Sequence, residues 1–588
     1  MKKIKEKKRK EKKTKTITGI VTYYQLKKKV LILRIKSRTW VYIILPQNIP
    51  SSFPVLLGTS VKIKNCVSDT YKGKTIYVSR SLPEIKEKWQ ERMEKEKDLI
   101  SIDNTVHKKL LYILKLSGKN SLFKKLLTNK RLRKKYLDNL WSFYEQNKLD
   151  FYTTVSLLLA CYGTFPGNKS IDMVIKHFAE ELYESCCNAF SRNSRNSVNL
   201  STFIHSVRGF LRTYGIQIEP EKIAERIEKS CYVKIDREED PENPPVYPSE
   251  VYRWKRSAIK ILKYGSKGRT REYKDVLSAI RENQFVILTG PPGSGKTHLL
   301  KSTVKSLENY GFRIIYTATT GKAALLLPEG KTLHSVLGWD GKRFNPDKNH
   351  DLNNCDILVV DEASMLTWQV LYVLLKKAHF TVIFSGDPDQ LPPVKGEYVF
   401  RQMFKYIPVV RLKEVYRGDM NVTTIVKKSL YEALMAIKAL VASFERKRAS
   451  WQVIAPLYRG FLGIENLNKV LGEFLKKTGL KVDEKVLITK NIYFNGKIIA
   501  SNGDTGIVIS RENGSVEVLL ERNNDLVIVD KDSIIPAYCI SVHKAQGSEY
   551  DYVIYCCPLE KDKISKELEY VAKTRGRKET YVISLQQD

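Results

Sequence analysis

The sequence predicts an α/β chain of several domains, built on a parallel sheet whose strand ends carry phosphate chemistry, with a small β-barrel and a helical region ahead of it. Three observations carry this. Residues 285–297, FVILTGPPGSGKT, run from an apolar strand into a glycine-rich turn that ends in Gly295-Lys296-Thr297. Two more apolar strands, in DILVVDEAS and TVIFSGDPDQLPPV, also open into polar residues, with helical segments between them. Strands alternating with helices describe a parallel sheet with ligands at its strand ends. Finally, 588 residues exceed a single core, and 42% hydrophobic content is ample for several.

Charge narrows the partners. Lys and Arg number 101 against 64 Asp and Glu, a net charge of +37. That excess is far beyond the needs of solubility and points to a polyanion, with nucleic acid as the default. No apolar run is long enough to span a bilayer and none follows the basic N-terminus, so a soluble intracellular chain without a membrane partner is expected. Nine cysteines are scattered without a CxxC pair or a His/Cys cluster, and the adjacent pairs Cys186-Cys187 and Cys556-Cys557 lack metal spacing. Reduced thiols and no zinc follow.

Taken in order, residues 1–13, MKKIKEKKRKEKK, read as a disordered basic tail that adds salt-sensitive phosphate affinity. A nuclear-targeting signal is the alternative reading of the same composition. Residues 14–83 hold five β-rich runs parted by Lys-rich or Pro/Gly turns, which suits an OB-like barrel. Tyr23, Tyr24, Trp40, Tyr42 and Tyr77 there are candidates either for stacking bases or for the barrel core. Residues 84–236 change to apolar spacing of three and four, as in HKKLLYILKL and SIDMVIKHFAEEL, and form a helical domain. Residues 237–253, opening REEDPENPPVYP, read as an acidic, proline-rich linker. The parallel-sheet part of the chain is then expected from residue 254.

The phosphate-binding reading of residues 290–298 rests on physical need. Gly290, Pro291, Pro292, Gly293, Ser294 and Gly295 supply a turn whose backbone amides wrap phosphate oxygens, and a helix beginning there directs its positive end at the anion. Lys296 reaches the β- and γ-phosphates as a point charge, Thr297 offers a hydroxyl to Mg²⁺, and His298 follows in the first helical turn. Chance alone gives such a pattern in roughly 2% of chains this long. Asp361 and Glu362 close a continuous apolar strand, where one carboxylate faces Mg²⁺ and its neighbour orients water.

The motifs form an ordered set: GPPGSGKT, TTGKAA, TLHSVLG, DEASM, GDPDQLPPV, VYRG (415–418), QVIAPLYRGFLGIENLN, NGDTGIV, SVHKAQGSEYDYVI and YVAKTRGRK. As a set they resemble superfamily 1B DNA helicases of the RecD/TraA type, in particular the stand-alone RecD-like members with an N-terminal extension. The resemblance implies two RecA-like lobes, 254–408 and 409–478 with 536–588, and an SH3-like insert at 479–535. It implies ATP and Mg²⁺ as cofactors and a monomeric motor moving 5′ to 3′ on single-stranded DNA and opening tailed or forked duplex. Lys296, Thr297 and Asp361 would hold phosphate and metal, Glu362 polarise the attacking water, and Gln390 sense the γ-phosphate. Arg417 and Arg575 would be fingers reaching from the second lobe. Thr320, Lys322 and His334 in the first lobe, with Ser541, His543 and Lys544 in the second, would line the strand channel. Residues 338–354 fall where the family carries a duplex-splitting hairpin, with Phe344 a wedge or a plain loop residue.

Three positions depart from the family pattern. A glutamine that contacts adenine is replaced by Tyr273 or Lys274, which removes the expected support for strict adenine choice. Gly418 and Gly576 follow the two arginines where glutamine and alanine are common. Two rival functions remain at this stage. One is an RNA helicase of the nonsense-decay type, against which His543-Lys544 argues; the other is a translocase or clamp that consumes ATP without unwinding.

Overall fold

A computed structural model describes residues 15–25, 30–34, 40–44, 60–71, 74–79, 84–87, 105–116, 120–138, 140, 144, 149, 154–155, 157–158, 167–187, 197–213, 217–267, 270–340, 343–345, 350–393, 397–414, 421–478, 484–494, 497–512, 514–557 and 564–586. The chain divides into two compact units, residues 1–181 with 198–248 and residues 182–197 with 249–588.

The first unit begins with strands Lys15–Gln25, Val30–Arg34, Trp40–Ile44, Ser60–Tyr71, Lys74–Ser79 and Glu84–Glu87. They pair in the order first, second, third, fifth, fourth, sixth, and the first strand also pairs with the fourth, closing the sheet on itself. The third and fifth strands run parallel, the other pairs antiparallel. The β-region therefore continues past residue 83, through a sixth strand too short to show in the sequence. The basic tail and the side chains of Tyr23, Tyr24, Trp40, Tyr42 and Tyr77 lie outside the described residues.

Helices follow, among them Thr105–Leu116, Asn120–Thr128, Lys130–Asp138, Gly167–Cys187, Leu200–Thr213 and Pro220–Glu228. Their apolar residues recur at three- and four-residue intervals, so each helix turns one stripe inward. Leu110, Leu114, Val174, Ile175, Val207, Leu211, Ile223 and Ile227 form one core, which Ile63 of the fourth strand joins. The expected linker at 237–253 is not a linker. Pro245–Pro248 is a buried strand between Val198–Asn199 and Val233–Ile235, and helix Ser249–Gly265 starts directly after it. Proline bars a helix interior but not a short extended segment, where it removes only a donor.

The second unit carries two parallel sheets. The first runs, edge to edge, Glu272–Tyr273, Val409–Arg411, Phe285–Thr289, Thr381–Gly386, Ile357–Asp361, Ile314–Ala318 and Lys331–Thr332. Phe285–Thr289 and Ile357–Asp361 are buried along their whole length, as expected of strands covered on both faces. Since Val409–Arg411 pairs with Phe285–Thr289, this lobe continues past the boundary expected at 408. The second sheet runs Asn421–Lys427, Gly576–Leu585, Tyr550–Cys556, Trp451–Ala455 and Cys539–Ser541, again all parallel.

Between its strands the chain inserts an antiparallel sheet, ordered Leu526–Asp530, Ser515–Leu520, Thr505–Glu512, Lys485–Ile488 and Ile534–Pro536. Val486, Ile488, Val508, Val516, Val518, Val527 and Val529 give this insert its own core. Among the described residues, no helix is long and apolar enough to cross a membrane.

Candidate nucleotide site

The central strand Phe285–Thr289 delivers the glycine-rich turn to the edge of the first sheet. A Cβ at Gly290 would stand 2.7 Å from Ser294 Oγ and 2.9 Å from the Leu412 carbonyl oxygen, so only glycine passes there. Gly295, at φ 79°, adopts the left-handed conformation that starts helix Lys296–Glu308. Lys296 folds back over the turn, and its Nζ donates to the carbonyls of Gly290 at 2.7 Å and Pro291 at 2.9 Å. Ser294 is buried, and its Oγ has no hydrogen-bond partner. His298 is exposed on the helix.

Two strands away, Asp361 ends its strand in a cluster of donors. Thr297 Oγ1 donates to its Oδ2 at 3.2 Å, while Ser385 Oγ at 2.8 Å and the Glu362 amide at 2.9 Å donate to Oδ1. Glu362 itself has φ 52°, an uncommon backbone state for a residue with a side chain, and it heads the short turn Ala363–Met365. Burial and the adjacent Asp361 push its carboxyl up to about 7, opposed by the positive charges of Arg575 and Lys296. Burial pulls the Lys296 ammonium down, with Asp387, Glu362 and Asp361 holding it up. Gln390 is also buried, and its Oε1 has no partner.

The second lobe closes this cluster. Helix Lys566–Lys573 brings Tyr570, whose hydroxyl donates to Asp387 Oδ2 at 3.1 Å; burial raises the Asp387 carboxyl. Arg401 of the first lobe reaches Glu567 Oε1 at 3.4 Å on the same helix. Arg575 is 4% exposed; its guanidinium donates to the Val571 carbonyl and to Thr574 Oγ1, each at 2.9 Å. Its charge nevertheless acts on both Glu362 and Lys296, across the two lobes. Arg417 and Gly418 lie outside the described residues.

Sequence reasoning gave Ser385, Tyr570 and the Arg401–Glu567 pair no role. Only Tyr570 carried a signal, its place in YVAKTRGRK five residues before Arg575.

These residues fit a nucleoside triphosphate with Mg²⁺. A hydroxyl and a carboxylate converge at Thr297 and Asp361, and the unpartnered Ser294 Oγ and Gln390 Oε1 are the kind of buried polar atoms a ligand satisfies. Tyr273 does not join them. Its ring lies in the first-lobe core, and its hydroxyl donates to Glu282 and accepts from Asn283, both at 2.9 Å. Arg271 covers the ring at 4.4 Å.

The positions expected along a nucleic-acid strand are distributed unevenly. Thr320 caps helix Gly321–Leu325 through its side chain, and Ser541 does the same for Val542–Ala545. His543 is exposed. Lys544 is half-buried and bonds Asn502 of the insert. His334 packs against Trp339 and stacks on Phe344, with ring centroids 6.1 and 5.9 Å away. Trp339 and Phe344 pair as a short antiparallel bridge, so Phe344 is part of a three-ring cluster and not an isolated loop side chain. Lys322 is 8% exposed and does not face solvent.

Two parallel-sheet lobes, with a phosphate-loop turn and paired carboxylates on one and a buried arginine on the other, define a two-lobed P-loop NTPase. Residues 271–440 match the AAA domain family, and residues 536–583 match the UvrD-like helicase C-terminal domain. The ATP-dependent RecD2 DNA helicase of Deinococcus radiodurans is 29% identical over 54% of this chain and 49% of its own length. The RecD subunit of the RecBCD enzyme of Buchnera aphidicola is 23% identical over 51% of this chain and 70% of its own. The conjugal transfer protein TraA of Agrobacterium fabrum is 25% identical over 55% and 33%. With these relatives, the chain resembles the RecD-like helicases of superfamily 1B, and it spans about half the length of the RecD2 protein it matches.

Proposed function

We propose that the chain is an ATP-dependent DNA helicase that moves 5′ to 3′ on single-stranded DNA and opens tailed or forked duplex, acting as an intracellular monomer. The observation that carries this is the meeting of Arg575 and Tyr570 of the second lobe with the Lys296, Asp361, Glu362 and Asp387 cluster of the first. Hydrolysis then depends on lobe closure, and lobe closure is a displacement that a bound strand can follow. The polarity rests on the likeness to RecD-type relatives. The name of the Deinococcus relative, a DNA helicase, favours DNA over RNA, and the charge of +37 supports a polyanionic partner.

Within this reading the backbone amides of residues 290–295 and Lys296 hold the phosphates, and Arg575 and Lys296 meet the charge that develops on the transferred group. Glu362 accepts the proton of the attacking water, and Gln390 positions it against the γ-phosphate. Mg²⁺, held by Thr297 and Asp361, would neutralise phosphate charge. Arg417 is assigned as a second finger by resemblance alone. Thr320, His334, Ser541, His543 and Lys544 are the strand contacts, short or basic side chains that bind phosphate without reading sequence. The closed sheet at the start of the chain is read as an OB-like barrel and the antiparallel insert as SH3-like, both as accessory grips on nucleic acid.

The test is strand displacement on duplexes with a 5′ or a 3′ single-stranded tail, given ATP and Mg²⁺. Unwinding from the 5′ tail is expected. Unwinding only from the 3′ tail overturns the polarity, hydrolysis without displacement makes the chain a translocase, and action only on RNA duplexes makes it an RNA helicase.

A further inference from the structure

Lys322 sits where three segments meet. Its Nζ donates to Ser548 Oγ at 2.6 Å and lies 3.4 Å from the Lys544 carbonyl, contacts that join first lobe to second across more than two hundred residues of sequence. The third segment is the insert. A Cβ on Gly321 would stand 2.3 Å from Ser501 Oγ, and one on Gly503 would stand 3.1 Å from Lys322 Cε. Lys544, from the second lobe, bonds Asn502 of the same insert turn.

A lysine that contacts the phosphates of a passing strand must present its ammonium to that strand. This one is buried. A buried ammonium is costly unless its hydrogen bonds are satisfied, so its retention at a three-way contact asks for a structural reason.

We propose that Lys322 is a positioning residue: its ammonium ties the second-lobe turn at Lys544–Ser548 to the first lobe and so sets the lobe geometry in which Arg575 acts on the phosphate loop. This rests on the two-lobed ATP hydrolysis proposed above. The charged groups around the ammonium are Asp504, Glu521 and Arg522 of the insert and Lys544 of the second lobe. Burial pulls the ammonium down to about 8, with Asp504 the main opposing influence. The tie is therefore charged near neutral pH and loses its proton as pH climbs through that value. Asp504 is itself held by Arg522 at 3.2 Å and by the Ser501 amide at 2.7 Å, so it is a fixed countercharge and not a mobile partner.

Two measurements on the full chain test this. The first needs no activity: amine-reactive labelling at about pH 7.5, read residue by residue by mass spectrometry. Lys322 is expected to label far more slowly than exposed Lys301, and Ser548→Ala to speed it at least several-fold. Equal labelling of Lys322 and Lys301 in the unaltered chain overturns the tie, whatever the enzyme does.

The second is strand-stimulated ATP hydrolysis at saturating single-stranded DNA. Lys322→Ala and Ser548→Ala are each expected to lower the rate about tenfold, and together no further, because they break one contact. The unaltered chain is expected to lose rate as pH rises through 8, and Lys322→Arg, which stays charged, to hold it. A Lys322→Ala chain that keeps its saturating rate but binds DNA more weakly, with a shallower salt dependence, shows a phosphate contact and overturns the proposal.

Discussion

The two parallel sheets of the second unit share an architecture and divide the chemistry. In the first, three neighbouring strands end in reactive groups: Thr289 leads into the phosphate loop, Ile357–Asp361 into Glu362, and Thr381–Gly386 into Asp387. In the second, the strand Trp451–Ala455 leads into Pro456-Leu457-Tyr458-Arg459-Gly460, a turn with no Lys-Thr pair. What the second lobe contributes is Arg575 and Tyr570, presented by helix Lys566–Lys573 and the turn after it. One lobe collects negative charge and the means to bind a metal; the other supplies a buried cation. On the proposed function neither half would be competent alone, and closure itself would be part of the reaction.

This division predicts unequal losses. Arg575→Ala should reduce strand-stimulated hydrolysis by about 10³ or more while leaving nucleotide affinity nearly intact. Arg575→Lys should recover only part of that loss, because the charge returns without the planar fork. Single-turnover rates and nucleotide titrations read the two effects separately, and an alanine variant within about threefold of the natural rate would erase the contrast between lobes.

A smaller loss, about 10² to 10⁴, is expected for Glu362→Gln. The same carboxyl sets an acid limit. Held up at about 7, it is a carboxylate above that pH and protonated below it, so the rate should drop roughly tenfold per pH unit on the acid side. A rate profile that stays flat down to about pH 5, near the ordinary carboxylate range, would remove Glu362 as the base. The smallest effect belongs to the interlobe bond itself. Tyr570→Phe should cost about fivefold at saturating strand, measured as steady-state turnover, because one hydrogen bond to a buried carboxylate disappears.

The phosphate loop and Asp361 were legible because their chemistry is local: a strand, a tight turn and a helix start leave their marks within a dozen residues. Two boundaries were not. Pro245–Pro248 looked like linker because proline composition marks broken helices, whereas its pairing with Val198–Asn199 is fixed by a segment far upstream. Val409–Arg411 looked like the start of the second lobe, yet it slots between strands laid down more than a hundred residues earlier.

The partners of individual side chains were harder still to read. Lys322 and Tyr273 carry the residue types expected of ligand contacts, and in the structure their polar ends are already engaged: Ser548, far along the chain, takes the ammonium, and Glu282 and Asn283, on the next helix and at its end, take the hydroxyl. Motif spacing records which residues are close along the chain. It is silent about which ones have already been claimed.

The strand order of the second lobe has a consequence for its synthesis. Gly576–Leu585 lies between Asn421–Lys427 and Tyr550–Cys556, so the earliest strand of that sheet has no neighbour until the latest one has been made. The first lobe completes its sheet at Val409–Arg411, some 170 residues sooner. During synthesis the sheet that carries the phosphate loop is thus whole while the sheet next to Arg575 is still open, with the buried strand Trp451–Ala455 waiting for its partners. On the proposed two-lobed mechanism, hydrolysis would have to wait for that sheet to close.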